Sequence, residues 1–384
     1  MSTPFSSREP AQKQIDTLPK KQSPIMRLHT ICPYFTMFPL EFPFNALASS
    51  NPDNWVLDPF CGRGTTNYAA RLRGLSSVGI DSNPVAAAIS TAKFIDTTPA
   101  DIIELCKTIL NSDQEPDYIP EGRFWDLCFH SDTLHDICKL RENLIQECIT
   151  DTARALRALM LGILHGPTMK NQPSYLSNQM PRTYCCKPGY SVRYWERHGL
   201  HPKKVDVLDV VSRKAEYSFS TLPARTGGRI INGDSRAPLT FIPEDGFNWV
   251  ITSPPYYQMK TYAQDQWLRN WFLGGEDTVN YTVTGQLKHS SRLDFARDLA
   301  AVWRSITEAC APGAKMIVRL GALPSSACNP SEILRESIDC ADCGWKEEKI
   351  ENAGTAKRGR RQSDQFCDTK RTAHEEIDYF AILT

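Results

Sequence analysis

The nine residues Asp58-Pro-Phe-Cys-Gly-Arg-Gly-Thr-Thr66 decide the fold of this chain. They follow a short apolar run, Trp55-Val56-Leu57, and precede a helical pattern that extends to Leu72. Gly62 and Gly64 let the backbone turn tightly and bring its N–H groups close to a ligand at the helix N-terminus. The stretch therefore predicts a strand, a ligand-binding glycine turn and a helix.

An acidic residue follows the next apolar run. Asp81 ends the run Ser77 to Ile80 and stands 19 residues after Gly62. A carboxylate at this place can accept hydrogen bonds from both ribose hydroxyls of a nucleoside cofactor. The alternatives are a glycine turn in an unrelated α/β protein and a dinucleotide site, but the dinucleotide fingerprint G-x-G-x-x-G needs a third glycine, which this loop lacks. The pattern favours a nucleoside that donates a methyl group.

Seven short apolar runs predict strands, and helical patterns separate most of them. The runs are 55–57, 77–80, 229–231, 248–252, 315–320, 345–350 and 377–383. The first four end in Asp or polar turn residues, as buried parallel strands do when their C-terminal ends carry a site. The last two have no helix between them and predict an antiparallel edge. We expect an α/β fold with a doubly wound, Rossmann-like sheet of seven strands and an antiparallel last strand.

Three helical patterns flank these runs. Asn83-Pro84 predicts a helix start, with Asn as the cap and Pro in the first turn. Phe295, Leu299, Val302 and Ile306 recur at spacings of three and four and predict an amphipathic helix before the fifth strand. Residues 332–340 predict another before the sixth.

The alternation of strands and helices stops between residues 99 and 228, which predicts an inserted segment. Its first half is helical in pattern and acidic, with a net charge of −6 over residues 101–164. Its second half is basic and rich in tyrosine, with a net charge of +7 over residues 165–230. We expect a mobile N-terminal tail over residues 1–24, a catalytic domain built from residues 25–98 and 229–384, and a largely helical, partly basic insert over residues 99–228.

Composition places few limits on function. The 384 residues are 41% hydrophobic and 23% charged, as in an ordinary globular protein. The formal net charge is zero, so a nucleic-acid surface has to be a local patch. The N-terminus has no apolar signal region, and no later stretch is long enough to span a membrane. The 13 cysteines lie scattered along apolar patterns, which favours reduced core thiols in a cytoplasmic protein.

The motif Ser253-Pro254-Pro255-Tyr256, directly after the fourth run, is the most specific chemical signal. The exocyclic amine of a base is a poor nucleophile because its lone pair is delocalised into the ring. The Ser253 hydroxyl oxygen and the Pro254 carbonyl can accept its hydrogens and localise that lone pair, and the prolines hold these acceptors in place beforehand. Tyr256 offers an aromatic face for an extruded base. A Pro-Pro turn after a strand is the structural alternative.

Both motifs resemble those of the DNA amino-methyltransferases. The loop at 58–66 is similar to their D-P-F-x-G-x-G-T-T cofactor loop, and residues 36–42 are similar to their K-x-F-P-x-E-L segment, without its basic residue. The resemblance implies a class I methyltransferase sheet and S-adenosylmethionine as the cofactor. It also assigns roles to single residues. The cofactor residues that it implies are Asp58, Phe60, Gly62, Gly64 and Thr65 in the loop, Asp81 at the ribose, Asp234 at the adenine and Phe38 over the methionine end.

The first residue of the catalytic motif favours one methyl acceptor. In the family, S-P-P-Y is typical of cytosine-N4 enzymes, whereas adenine-N6 enzymes more often carry D-P-P-Y or N-P-P-Y. Methylation at cytosine C5 is disfavoured because it needs a cysteine nucleophile, usually in a Pro-Cys pair, and the sequence contains no Pro-Cys pair. The alternatives are adenine-N6 methylation, RNA methylation and a catalytically silent nucleic-acid-binding protein.

The expected partner is duplex DNA, with the target base flipped out of the helix, and a restriction endonuclease is the expected cognate enzyme. The basic, aromatic run from Lys170 to Arg229 is the candidate for target recognition, and a solvated surface is the alternative. The side chains that can read base edges are Asn171, Gln172, Asn178, Gln179, Arg182 and Arg193. A second basic cluster, residues 357–361, can contact phosphates or remain a solvated loop.

Two weaker patterns favour structural roles. Trp267, Trp271 and Phe272 follow the catalytic motif at helical spacing, which favours core packing over a base pocket. Cys340 and Cys343 resemble half of a zinc site, with Cys367 and His374 as candidate partners, but a single C-x-x-C at a helix end is more often structural. We therefore predict no metal site.

Overall fold

Seven strands form one sheet. The computed structural model describes residues 15–34, 38–146, 148–167, 172–178, 180, 187–258, 263–280, 287–288, 290–322, 328–355 and 375–384. The strands are β1 (Trp55–Asp58), β2 (Ser76–Asp81), β3 (Gly228–Asn232), β4 (Phe247–Thr252), β5 (Cys310–Gly321), β6 (Trp345–Thr355) and β7 (Glu375–Leu383). They are hydrogen-bonded in the order β3-β2-β1-β4-β5-β7-β6.

The sheet is parallel except at one side. Strands β1 to β5 pair in parallel, and β7 pairs antiparallel with both β5 and β6. The predicted α/β sheet of seven strands with an antiparallel last strand is confirmed. The antiparallel β7 does not lie at the edge, however, because it inserts between β5 and β6.

Helices cover both faces of the sheet, which explains why β1 and β4 read as continuous apolar runs. Val56, Leu57 and Val250 have no exposed surface. The helices outside the insert are α1 (Glu41–Ala46), α2 (Thr65–Leu72), α3 (Pro84–Thr91), α10 (Ala263–Phe272), α11 (Arg292–Thr307) and α12 (Pro330–Ala341). The helix start at Asn83 is confirmed, since its side chain accepts a hydrogen bond from the Val85 N–H (3.0 Å). The helices predicted before the fifth and sixth strands are confirmed as α11 and α12.

The insert is helical among its described residues. Its helices are α4 (Pro99–Leu110), α5 (Arg123–Cys128), α6 (Ser131–Gln146), α7 (Asp151–Ile163), α8 (Pro188–Arg197) and α9 (Val207–Phe219). Their apolar faces share one hydrophobic core with α2 and α3, and Trp195 of α8 is fully buried in it. The insert therefore packs directly on the helical layer that borders the glycine turn. The domain division itself stays a prediction.

The predicted N-terminal tail divides into two parts. Residues 1–14 lie outside the described residues. From Ile15 onward the chain contacts the C-terminal end of α2, where the Ile15 N–H donates to the Leu72 carbonyl (3.2 Å). The Arg73 side chain donates to the carbonyls of Ile15 and Asp16.

Among the described residues, no helix combines the length and the apolar character that a membrane crossing requires.

Candidate active site

The glycine turn joins β1 to α2 in a conformation that favours glycine. Gly62 has a φ of +51° and Gly64 a φ of +78°, both in the left-handed region. Gly64 is the N-cap of α2 and provides no capping side chain, and Thr65 is the first helical residue. The first-turn N–H groups of α2 therefore have no side-chain cap.

Asp81, at the end of β2, faces this turn. Its carboxylate accepts hydrogen bonds from the Gly62 N–H (2.9 Å) and the Asn83 N–H (2.8 Å). The Asn83 side-chain amide donates to the Tyr34 hydroxyl (2.9 Å), so the N-terminal segment borders the same place. Burial raises the pKa of Asp81 to about 6, although both backbone hydrogen bonds lower it.

Asp58, at the end of β1, links the two motifs. One oxygen of its buried carboxylate accepts from the Thr252 hydroxyl (2.6 Å) and the Phe60 N–H (3.1 Å). The other oxygen is buried without a hydrogen-bond partner among the described residues; the nearby Thr66 hydroxyl donates to the Ile251 carbonyl (3.1 Å). Burial raises the pKa of Asp58 to about 6. The glycine turn and the catalytic motif therefore lie side by side at the C-terminal ends of the neighbouring strands β1 and β4.

The catalytic motif is held on one side by the antiparallel strands. Ser253 is half-buried and Pro254 is buried. The Tyr256 hydroxyl donates to the Glu376 carboxylate of β7 (2.8 Å). Its ring lies against Gly321 of β5, where an added Cβ would stand 2.6 Å from ring atom Cε2. The ring orientation is therefore fixed before any base binds.

The acid at the end of β3 has a partner within the protein. Asp234 forms an ion pair with Arg236 (2.6 Å), whose hydrogen bonds lower the pKa of the Asp234 carboxyl. Arg236 also contacts Asp298 (3.1 Å). The Ser235 hydroxyl donates to the Pro59 carbonyl, which brings this segment to the glycine turn.

Phe38 packs against its own segment, which lies beside β5. Its ring contacts Phe42 edge to face, with the ring centroids 5.6 Å apart. Phe42 in turn lies under the Arg319 guanidinium of β5, 3.8 Å from ring centroid to Cζ. Thr36 and Met37, from the same predicted segment, lie outside the described residues. The described ring contact of Phe38 is thus to its own segment, and its role at the cofactor stays a prediction.

Three residues that adjoin the predicted site were not identified from the sequence. They are Thr252, Glu376 and Arg63. Thr252 and Glu376 act through contacts between distant segments, which no local pattern indicates. Arg63 did carry a local signal, because it is a charged residue between two turn glycines. The structure adds that its side chain is buried, with 6% of the residue exposed.

The aromatic residues after the catalytic motif belong to the core. Trp267 and Trp271 are buried and pack against Trp125 of α5, with ring centroids 5.7 Å and 4.6 Å apart. Phe272 is also buried. The structure supports core packing for these three residues.

The described part of the insert includes three of the six candidates for base contact. Gln172 and Arg193 are exposed. The Asn178 amide donates to the carbonyls of Leu127 and Leu200, so it is engaged within the protein. The other three, Asn171, Gln179 and Arg182, lie outside the described residues, as do Lys170 and the basic cluster at 357–361.

The described residues contain no group of three side chains that could hold a metal ion. Cys340 and Cys343 are half-buried, and the Thr307 hydroxyl donates to the Cys343 sulfur (3.3 Å). Cys367 and His374 lie outside the described residues. The absence of a metal site therefore stays a prediction.

Comparisons with known proteins match the N-terminal part of the chain. A family model of N6 and N4 methyltransferases, described as DNA methylase, matches residues 11–92. The Type II methyltransferase M.EcaI of Enterobacter cloacae is 42% identical over an alignment of 64 residues, and the match covers 15% of this chain. This chain spans 14% of the length of that relative.

Solved structures align along most of the chain at low similarity. A methyltransferase of Methanosarcina mazei described as SAM-dependent is 9% identical, over 91% of this chain and 99% of that one, with a TM-score of 0.33. The rRNA methyltransferase aviRa of Streptomyces viridochromogenes is 11% identical, over 91% and 87%, with a TM-score of 0.32. The fold assignment rests on the strand order itself.

The strand order and the carboxylate at the end of β2, bonded to a glycine turn after β1, agree with the class I methyltransferase sheet that the sequence predicts. Residues 11–92 are similar to the DNA methylase family of N6 and N4 methyltransferases. The cofactor of this family is S-adenosylmethionine.

The residues present fit this cofactor. A Cβ added to Gly62 would meet no heavy atom within 4 Å, so the space in front of the turn is open. The unpaired oxygen of Asp58 is a buried acceptor next to that turn. A buried acceptor without a partner costs free energy, which a ligand ammonium or hydroxyl group would recover.

Proposed function

We propose that this chain is an S-adenosylmethionine-dependent DNA methyltransferase that modifies the exocyclic N4 amine of cytosine in duplex DNA. One observation carries the proposal. The Thr252 hydroxyl, directly before Ser253, donates to Asp58 at the start of the glycine turn (2.6 Å). A methyl donor in front of that turn would therefore stand beside the groups that activate an amine.

The cofactor, when bound, supplies a methyl group on a positively charged sulfur. In our proposal Asp81 accepts hydrogen bonds from the ribose, and the turn at Gly62 and Gly64 lies against the methionine part. Asp234 faces the adenine amino group, with Arg236 holding its carboxylate in place. Phe60, Thr65 and Phe38 complete the cofactor contacts.

The chemistry of this site rests on two acceptors. The Ser253 hydroxyl oxygen and the Pro254 carbonyl oxygen would accept hydrogen bonds from the two N–H groups of the amine and turn its lone pair towards the methyl group. As the N–C bond forms, the S–C bond of the donor would break, and the methylated amine would release one proton to solvent. Pro254 and Pro255 restrict the loop, so little reorganisation is needed during the reaction. No covalent intermediate with the protein is required.

Tyr256 supplies the surface for the extruded base. Its hydroxyl donates to Glu376, and its ring atoms Cε2 and Cζ lie close to Gly321. We propose that a face of this ring stacks on the flipped base. A base taken out of the duplex loses its stacking neighbours, and a rigid aromatic ring replaces part of that interaction.

Serine at the first position of the motif supports cytosine N4 over adenine N6. The matched family includes both N6 and N4 enzymes, so the family does not choose between them. The choice rests on the resemblance of Ser253-Pro254-Pro255-Tyr256 to the motif typical of cytosine-N4 enzymes. Adenine N6 is the second candidate.

The insert at 99–228 is the proposed target-recognition segment. Its basic half, residues 165–228, carries a net charge of +6, and α8 exposes Tyr190 and Arg193. Positive side chains neutralise phosphates, and exposed polar and aromatic groups can contact bases. We also propose that the enzyme works beside a restriction endonuclease that cuts the same unmodified sequence.

The test is to identify the methylated base. The full chain is incubated with methyl-labelled S-adenosylmethionine and, in separate reactions, mixed-sequence duplex DNA or RNA, and the nucleic acid is digested to nucleosides. We expect label in N4-methylcytosine. The matched control is Ser253→Ala, which should lower turnover by about 10²-fold and leave cofactor affinity unchanged, because one preorganised acceptor is lost.

Each other result has a definite meaning. Label in N6-methyladenine would contradict cytosine specificity, and label in RNA alone would contradict DNA as the substrate. Unchanged turnover in Ser253→Ala would remove the serine from the amine-activating role. A chain that neither binds the cofactor nor transfers the label would be a nucleic-acid-binding protein without this activity.

A further inference from the structure

The glycine turn contains an arginine with a buried, unpaired charge. Arg63 lies between Gly62 and Gly64 and is 6% exposed. Its Nε is buried without a hydrogen-bond partner, and no ion pair of Arg63 occurs among the residues that the structure describes. Burial lowers the pKa of its guanidinium to about 10.

The groups around Arg63 do not compensate this charge. His29 and Lys93 are buried, and after burial itself the charge of Arg63 is the largest cause that lowers the pKa of each. Lys93 donates to the carbonyls of Leu28 (2.7 Å) and His29 (3.3 Å), and in the described part of the chain it too forms no ion pair with a carboxylate. An uncompensated buried cation costs several kcal/mol, so a stable fold normally supplies an anion.

A second feature of the turn also favours an anion. Helix α2 starts directly after Arg63, and its N-cap, Gly64, has no side chain to accept from the first-turn N–H groups. These groups and the positive end of the helix dipole attract negative charge. The guanidinium and the helix start thus favour the same kind of ligand from neighbouring positions in the chain.

The same loop also carries an unpaired negative group. Asp58, five residues before Arg63, has a buried carboxylate oxygen without a hydrogen-bond partner among the described residues. Asp58 and Arg63 form no ion pair with each other, although both belong to one short loop. A carboxylate with one oxygen left over and a guanidinium without an ion pair are complementary to a ligand that bears both charges, as an α-amino acid does.

We infer that Arg63 binds the α-carboxylate of the cofactor's methionine part, with Asp58 facing the ammonium. This inference rests on the proposed function, because it takes S-adenosylmethionine as the ligand. The α-carboxylate is the only negative group of that molecule. A guanidinium can donate two parallel hydrogen bonds to a carboxylate, and such charged pairs are stronger than neutral hydrogen bonds.

The experiment compares two ligands that differ by the carboxylate. S-Adenosylmethionine and its decarboxylated form are titrated calorimetrically into the wild-type chain, Arg63→Met and Arg63→Lys. We expect the wild type to prefer the carboxylated ligand by about 10- to 100-fold, which is typical for one charged hydrogen-bonded contact. Arg63→Met should lose this preference, and Arg63→Lys should keep part of it.

Arg73→Met is the matched control. Arg73 is also a buried arginine near α2, but it donates to the carbonyl of Phe44 (3.0 Å) and stacks on that ring. Its removal should lower the melting temperature of the ligand-free protein without changing the preference between the ligands. Arg63→Met should not lower that temperature, because it removes an unpaired buried charge.

The outcomes separate this inference from the proposed function. If the wild type binds both ligands equally, or Arg63→Met keeps the wild-type preference, the inference is wrong and the function can stand. If the chain binds neither ligand, the proposed function fails. Inorganic phosphate is the third probe: if it binds in an Arg63-dependent way and does not compete with S-adenosylmethionine, the site serves a free anion and the inference is overturned.

Discussion

Two buried carboxylates determine how the proposed cofactor site responds to pH. Asp58 and Asp81 end neighbouring parallel strands, and burial raises the pKa of each to about 6. In both cases the carboxylate accepts backbone or hydroxyl hydrogen bonds that favour the ionised form, but burial outweighs them. At neutral pH both carboxylates are therefore ionised although burial disfavours the charged form. A ligand that donates hydrogen bonds to them reduces this free-energy penalty.

This situation predicts a pH dependence of cofactor binding. A ligand that binds the ionised carboxylates lowers their pKa, so binding releases protons near pH 6 and weakens as the pH falls below that value. Between pH 7 and pH 5, the affinity for S-adenosylhomocysteine should fall by about tenfold for each carboxylate involved. Calorimetry in buffers of different ionisation enthalpy measures both the affinity and the released protons.

Asp58→Asn is the control for this dependence. The variant removes one titrating group and keeps its shape, so about half of the logarithmic fall in affinity should remain. A variant with the full dependence, or a wild type whose affinity is flat from pH 7 to pH 5, would show that the carboxylates do not contact the ligand.

At the level of elements, the N-cap of a helix can stabilise the helix and also hold part of the proposed site in place. Asn83 caps α3, and its backbone N–H donates to Asp81 while its amide donates to Tyr34. Helix α12 starts with the same Asn-Pro pair, and Asn329 accepts from the Ser331 N–H (3.0 Å). The two caps differ in that only the first is bonded to the proposed site.

Replacing each cap by alanine separates stability from binding. Asn83→Ala and Asn329→Ala should each lower the free energy of unfolding by about 1 kcal/mol, because an N-cap hydrogen bond is lost. Only Asn83→Ala should also weaken cofactor binding, since it frees the segment at Tyr34. Urea unfolding and cofactor titration measure the two effects. Equal losses of affinity in both variants would point to general destabilisation.

At the level of the whole molecule, the insert shares one hydrophobic core with the helices next to the sheet. The buried faces of α4, α7 and α9 continue the core formed by α2 and α3, whereas the buried strand residues belong to two other clusters. This packing joins the insert to the helix that follows the glycine turn. That arrangement suits an enzyme that has to grip a duplex while one base enters the site.

Phosphate contacts by the basic half of the insert predict that DNA binding depends on salt concentration. Arg193 and Lys203 are exposed in the basic half of the insert, whereas Lys346 is exposed on the edge strand β6. Each phosphate contact that is lost should make the plot of log affinity against log salt shallower by about 0.9. We expect this change for Arg193→Ala and Lys203→Ala and not for Lys346→Ala. Equal slopes in all variants would contradict a DNA-binding role of this surface.

The sequence by itself determined the seven strands, the position of the glycine turn and the antiparallel last strand. These features follow from local physical rules. Short apolar runs form buried strands, glycine permits positive φ at Gly62 and Gly64, and Asn83-Pro84 starts a helix. The resemblance to the amino-methyltransferases depended on the same contiguous residues, and for that reason it could be read directly.

Only the tertiary structure decided which distant residues meet. It placed β7 between β5 and β6, joined Thr252 to Asp58, fixed Tyr256 with Glu376 and left Arg63 buried without a partner. The hydrogen bonds of Asp58 and Tyr256 connect residues 194 and 120 positions apart, and the burial of Arg63 depends on the packing around the turn. No local pattern encodes them, because burial and pairing are set by the packing of the whole chain.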